Sequence, residues 1–196
     1  MSHFNEVANE WDSPEKINLM NNLATETKKH LRISDGIDVL DFGCGTGLFG
    51  LHFLENAKTL TGIDTSKGML DVFKRKVDDD QKLKTLMINL ENEDHQGHYD
   101  LIVSSMAFHH LENPVVVLKK LKQMLKPNGV IAIIDLDHED GTFHPDNNAM
   151  GVKHFGFSNE ILMDWATKTE LSIEHHIINS INKNDKIYQQ FLCLYR

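Results

Sequence analysis

The sequence predicts an α/β fold, a mostly parallel seven-stranded sheet with helices on both faces, and three observations predict it. Apolar runs of strand length alternate with segments whose apolar residues recur every three or four positions. The run Ile37, Val39, Leu40 passes directly into a turn with glycine at alternate positions, Gly43, Gly45 and Gly47. The next apolar run, Thr59 to Asp64, ends on a carboxylate. Right-handed crossovers then put the glycine turn and that carboxylate at the same carboxyl edge of the sheet.

The elements follow in order. Ser13 before Pro14 is a helix start, the hydroxyl capping and the proline sitting where its missing N–H costs nothing. Ile17, Met20, Leu23, Ala24 and Leu31 continue it at helical spacing. After the glycine turn, Leu48, Leu51, His52 and Leu54 predict a helix ending near Asn56. Thr65 or Ser66 caps the helix that carries Met69, Leu70, Val72 and Phe73. Asp78 to Asp80 reads as a solvated loop.

Leu83 to Leu90 is the expected third strand and Tyr99 to Met106 the fourth. Asn113-Pro114 opens a helix with apolar residues at Val117, Leu118, Leu121 and Leu125, which Pro127-Asn128-Gly129 stops. Gly129 to Leu136 is almost uniformly apolar, as a strand covered on both faces should be. Residues 138–157 break the rhythm, and so long a connection beyond a strand end reads as a functional loop. Ser158 begins a last helix. Two strands, about Leu171 to Ser180 and Ile187 to Tyr195, are then joined by the turn Asn182-Lys183-Asn184-Asp185.

At 196 residues the chain fits one domain. Its parts are a helical cap region (1–35), a ligand-binding core (36–137), the long loop (138–157) and a closing helix and hairpin (158–196). A formal net charge of −9 with scattered lysines argues against nucleic acid as a partner. No apolar run is long enough to span a bilayer. The N-terminal residues lack a signal-peptide pattern, so a cytoplasmic protein is expected. Cys44 and Cys193 fall in no C-x-x-C pair and are expected to be free thiols. Sequence says nothing of the oligomeric state.

The glycine turn seats a ligand, because bare main chain permits close approach. With Asp41 two residues ahead of Gly43, the stretch reads D-x-G-x-G-x-G and resembles the first motif of the class I S-adenosylmethionine-dependent methyltransferases. The resemblance implies a Rossmann-like three-layer α/β/α fold closed by a C-terminal antiparallel hairpin. It implies S-adenosylmethionine as cofactor, with S-adenosylhomocysteine as product. Gly43, Cys44, Gly45 and Gly47 would face the methionine and ribose, with Asp41 near the amino group. Asp64 would take the ribose hydroxyls, flanked by Thr65, and Met69 would flank the adenine. Asn89 and Leu90 stand where the family often has an acidic and an apolar residue against the adenine amine, and the amide oxygen of Asn89 still accepts. Ser105 matches a contact to the methionine end.

The wording F-x-x-V-A-x-x-W-D near the N-terminus, with E-D-G-x-F-H and H-x-G-F in the long loop, resembles a subgroup acting on small molecules. Methyl transfer from a sulfonium needs chiefly alignment. Histidines near the acceptor could remove its proton, and His110, His144 and His154 are the candidates for catalysis. Capping and loop-carbonyl roles compete with that reading. No spacing among the histidines makes a metal motif, so no metal is expected. Two other classes share the seat. A nicotinamide-dependent oxidoreductase would carry its third glycine one residue later, where Leu48 stands. A protein that binds the cofactor without catalysis would look the same.

Overall fold

The computed structural model of the chain describes residues 3–77, 81–183 and 185–196. A short helix α1 (His3–Val7) precedes α2 (Pro14–His30), whose cap is the expected one, with Ser13 Oγ accepting from Lys16 N at 3.3 Å. The strands are β1 (Ile37–Phe42), β2 (Ala57–Asp64), β3 (Leu83–Met87), β4 (Tyr99–Ser105), β5 (Leu125–Leu136), β6 (Ile173–Lys183) and β7 (Lys186–Tyr195). The helices α3 (Lys67–Lys76), α4 (Pro114–Gln123) and α5 (Asn159–Thr169) complete the list among the described residues. The order across the single sheet is β3-β2-β1-β4-β5-β7-β6. All pairings are parallel except those of β7 with β5 and β6, which are antiparallel.

Three layers arise because successive strand residues point to opposite faces. Leu40, Ile102, Ile131 and Ile133 pack with Val117, Leu118 and Leu121 of α4 and Leu162 and Trp165 of α5. Their neighbours Val39, Leu101, Val103, Ala132 and Ile134 pack with Leu23 and Ala24 of α2 and Leu70 and Phe73 of α3. Each large side chain so buried contributes roughly 1.5–3 kcal/mol. The strand order reverses between β1 and β4, which opens the crevice outside their carboxyl ends to a ligand.

Three expected boundaries are corrected. The segment after the glycine turn holds only a 3₁₀ turn, Gly50–Phe53, instead of a helix to Asn56. Gly47 and Gly50 weaken a helix there. Gly50 is also pressed on Asp41, where a Cβ would lie 2.2 Å from Oδ2. The third strand stops at Met87, because Asn89 turns the chain, its Oδ1 accepting from Glu91 N and its carbonyl from Asn92 N and Glu93 N. Helix α4 ends at Gln123, and Leu125 already pairs with Tyr99. Pro127-Asn128-Gly129 therefore lies inside a β5 bulge, with Asn128 at φ +65°. Asp78 to Asp80 and Asn184 lie outside the described residues.

Candidate functional site

The glycine turn is fastened to the end of β2 through the main chain. Gly43 N and Cys44 N both donate to the Ile63 carbonyl, at 2.8 and 3.0 Å. Gly45 N donates to Asp64 Oδ2 and Ser66 N to Asp64 Oδ1, each at 2.8 Å. All three glycines have positive φ. They differ in what surrounds them. A Cβ on Gly43 would lie 2.4 Å from Ala107 Cβ, and one on Gly47 2.2 Å from the Phe73 ring, so packing excludes side chains there. A Cβ on Gly45 would meet nothing within 4 Å, which leaves bare main chain facing open space.

Two carboxylates flank this cradle. Asp64 is partly exposed, and each oxygen keeps a lone pair for a further donor. Burial pushes its carboxyl above the usual range, against the pull of the Ser66 and Gly45 main-chain donors. Asp41 is 1% exposed and its Oδ2 has no partner. Burial first, and then the charge of Asp64, pushes it up to about 7. Burial and both acids also push the Cys44 thiol well up, so this sulfur stays protonated and unreactive. The pair of acids, one of them with an orphaned oxygen, suits a ligand that brings positive charge and hydroxyl donors, as an adenosyl sulfonium does.

The N-terminal segment straps this edge. Asn5 Oδ1 accepts from Ser66 Oγ (2.8 Å) and Gly68 N (2.9 Å), while Asp12 takes Thr46 Oγ1 (2.6 Å) and Lys76 Nζ (2.6 Å). Met69 is buried with Ala8 and Val72 under Phe4, Val7 and Trp11. Of the residues predicted from sequence, the fold gathers Asp41, Gly43, Cys44, Gly45, Gly47 and Asp64 at one edge, with Thr65 exposed beside them. The Asn89 amide oxygen is already engaged by Glu91 N, and Leu90 lies in the core. Ser105 Oγ, at the end of β4, meets Met20 Sδ at 3.5 Å.

Past β4 the histidines gather. The rings of His109 and His110 are 4.1 Å apart, and His144 lies 4.9 Å from His109 and 6.1 Å from His110. His154 is engaged separately, its Nε2 on the Leu111 carbonyl at 2.9 Å. His110 Nδ1 faces the Gly151 carbonyl at 3.2 Å, and Phe4 of the strap sits edge-on to its ring at 5.2 Å. Beneath them, His109 Nδ1 lies 2.6 Å from Asp135 Oδ1, with the two residues 1% and 0% exposed. Sequence reading passed over Asp135. Its signal was present: a lone acid in the apolar run Val130 to Leu136 is costly to bury without a partner. Gln190, fully buried on β7, was missed likewise. It links Met106 Sδ (3.1 Å) to Asn179 Nδ2 (2.8 Å) and through Asn179 to Asn22 (3.0 Å). Among the described residues no group of three or more His, Cys, Asp or Glu is arranged to hold a metal, and no helix is long and apolar enough to cross a membrane.

The cluster sets a pH dependence. Burial lowers His110 to about 4 and His144 to about 3. In the unfolded chain both bind protons near 6.5, so below that pH the unfolded state holds more protons. Stability from these groups is complete above about 6.5 and falls as pH drops toward the folded values. Asp41, raised, contributes the opposite slope, which is common to wild type and variant and cancels in their difference. A His110→Asn/His144→Asn double variant is expected to lose less of its urea midpoint between neutral and mildly acid pH than wild type. Parallel curves would show that the histidines stay solvated.

The sequence and the fold were compared with known proteins. A family model described as a methyltransferase domain matches residues 40–131. An uncharacterized methyltransferase of Schizosaccharomyces pombe is 34% identical over 153 residues, covering 70% of this chain and 54% of the relative. A ubiquinone biosynthesis O-methyltransferase of Hydrogenovibrio crunogenus is 25% identical, covering 66% and 56%. A tRNA U34 carboxymethyltransferase of Pseudoalteromonas atlantica is 26% identical, covering 71% and 50%. The chain thus spans about half the length of these curated relatives. Among solved structures, the methyltransferase in complex with the Trm112 methyltransferase activator of Haloferax volcanii superposes with a TM-score of 0.78, at 17% identity, over 100% of this chain and 97% of that one. At that identity the likeness speaks to the fold.

Proposed function

The chain belongs to the class I S-adenosylmethionine-dependent methyltransferases, and from that premise we propose that it is an enzyme that methylates a small-molecule acceptor. One observation carries the reading. The hydrogen bond from Gly45 N to Asp64 Oδ2 joins the bare main chain to the acid across 19 residues, at the place where the strand order reverses. Asp64 then has lone pairs for the ribose hydroxyls, and the Gly43–Gly47 turn admits the methionine portion. Asp41 lies on the side where the amino group would sit, and a cation there would favour its ionised form. The cofactor, when bound, supplies a methyl group already carried on a cationic leaving group.

The chain's own share is orientation. The strap from Asn5 to Asp12 is tied down beside the crevice, and the ends of β4, β5 and β7 would shape the acceptor's place. A small acceptor suits this aromatic edge and the net charge of −9, which opposes a polyanion such as tRNA. The ubiquinone-biosynthesis relative supports the same class. Calorimetry with S-adenosylhomocysteine, and incubation with methyl-labelled cofactor and a panel of small metabolites, test the proposal. Binding together with a labelled product formed in step with S-adenosylhomocysteine is the expected result. Binding without turnover would make the chain a cofactor-binding protein. Binding of reduced nicotinamide cofactor instead would make it an oxidoreductase.

A further inference from the structure

The pair His109–Asp135 is buried at the carboxyl edge, and no element of the cofactor seat uses it. Asp135 is braced from three sides: Oδ1 by His109 Nδ1 at 2.6 Å and by Leu136 N at 2.8 Å, Oδ2 by His109 N at 3.2 Å. Although burial opposes its charge, His109 holds its carboxyl below the ordinary carboxylate range. A carboxylate at Nδ1 fixes the imidazole in the tautomer that carries its proton there, which leaves the lone pair on Nε2. That Nε2 is buried and has no partner. An unpartnered buried polar atom costs about 1–3 kcal/mol, and an incoming O–H group removes the cost.

Resting on the methyl-transfer reading above, we propose that His109, positioned by Asp135, is the base that receives the acceptor's proton at Nε2, and that the acceptor is an aromatic hydroxyl compound. A base is of use only to a nucleophile that carries a proton, which sets a hydroxyl apart from a carboxylate acceptor. The aromatic part follows from the rings of the surrounding cluster. Phe4 meets His110 at 5.2 Å, His144 meets Phe143 at 4.9 Å and Phe143 meets Tyr188 at 5.2 Å, each edge-on, so flat rings extend outward from the two histidines packed on His109.

The cover over His109 is the His144 ring, whose Nδ1 has no partner and whose contacts are to the rings of His109, His110 and Phe143. Nε2 opens to an acceptor only when this ring swings aside. As the acceptor oxygen's lone pair forms the new carbon–oxygen bond, the carbon–sulfur electron pair stays on sulfur and the hydroxyl proton ends on His109 Nε2. Asp135 stabilises the resulting imidazolium, and the proton afterwards returns to water. The other titratable groups packed on the His109 ring are His110 and His144, with Lys183 further out, over the Phe143 ring at 4.8 Å.

His109→Asn keeps a donor toward Asp135 and removes Nε2, while Asp135→Asn reverses the tautomer. Both variants are assayed with phenol and with para-nitrophenol at a pH where only the latter is already ionised. Transfer to phenol is expected to fall by about 100-fold or more. Transfer to ionised para-nitrophenol should stay near wild type, and S-adenosylhomocysteine should bind unchanged. Two readouts need no turnover. Para-nitrophenol bound to the wild-type S-adenosylhomocysteine complex, below its own ionisation pH, should absorb as the phenolate. Nitrogen NMR of wild-type His109 should show an unprotonated Nε2 at neutral pH.

Equal losses on both phenols would make the pair structural, and a protonated Nε2 in the wild type would overturn the base. Cofactor binding without transfer to any phenol would overturn the acceptor class. Failure of wild type to bind S-adenosylhomocysteine would instead sink the methyltransferase reading beneath.

Discussion

Replacing Asp64 by alanine is expected to weaken S-adenosylhomocysteine binding by at least about 100-fold, because two charge-assisted hydrogen bonds to the ribose are lost at roughly 1.5–3 kcal/mol each. The loss is not purely one of ligand contacts. Asp64 also receives Gly45 N and Ser66 N, so alanine leaves both ends of the cradle without their acceptor. Because the carboxylate is partly exposed, water replaces it at those donors, and the melting temperature should fall only modestly. Asp64→Asn separates the two effects. The amide keeps one accepting oxygen for the turn and loses the charge, so it should melt close to wild type while still binding less tightly. Calorimetry on the two variants checks this, and unchanged affinity in Asp64→Ala would place the ribose elsewhere.

Asp64 was legible in the sequence because a polar residue at the end of an apolar run has few structural reasons to be there. The mostly parallel sheet was legible for a related reason: alternation of strand and helix, with right-handed crossovers, leaves few other arrangements. The segment after the glycine turn was not. Leu48, Leu51 and Leu54 have helical spacing, yet Gly50 must accept the Asp41 carboxylate at its surface, and that tertiary contact is invisible to periodicity. The end of α4 was missed for a similar reason. Tyr99 recruits Leu125 into the sheet before the proline that sequence reading takes as the stop.

In the site, periodicity and motif spacing reach the main-chain cradle and stop there. His110, His144 and His154 look equivalent as loop histidines. Only three-dimensional contacts separate His154, whose ring packs on Phe157, from the two rings beside His109. Asp135 stands one position from the end of its strand, and the cost of burying a lone acid there signals a partner without naming it. Its partner lies 26 residues back on a different element, and no local pattern connects them.

The glycines allow fold and site to be separated by single methyl groups. Gly47→Ala places a Cβ 2.2–2.7 Å from three atoms of the Phe73 ring, which is itself fully buried and cannot retreat. Overpacking of this kind costs about 1–3 kcal/mol. Holding a non-glycine residue at φ +80° adds roughly 1–2 kcal/mol. Gly45→Ala carries only the backbone cost, since its Cβ meets nothing within 4 Å. The same open space is where the ligand must touch main chain, so the methyl group excludes it. The expected pattern is crossed. Gly47→Ala should lower the urea midpoint by far more, whereas Gly45→Ala should stay folded and lose S-adenosylhomocysteine affinity by at least about tenfold, the equivalent of roughly 1.4 kcal/mol. Chemical denaturation and calorimetry on the same two samples read both quantities. If Gly45→Ala binds as wild type does, the open side of the turn is not where the cofactor lies, and Gly45 is glycine for its backbone angle alone.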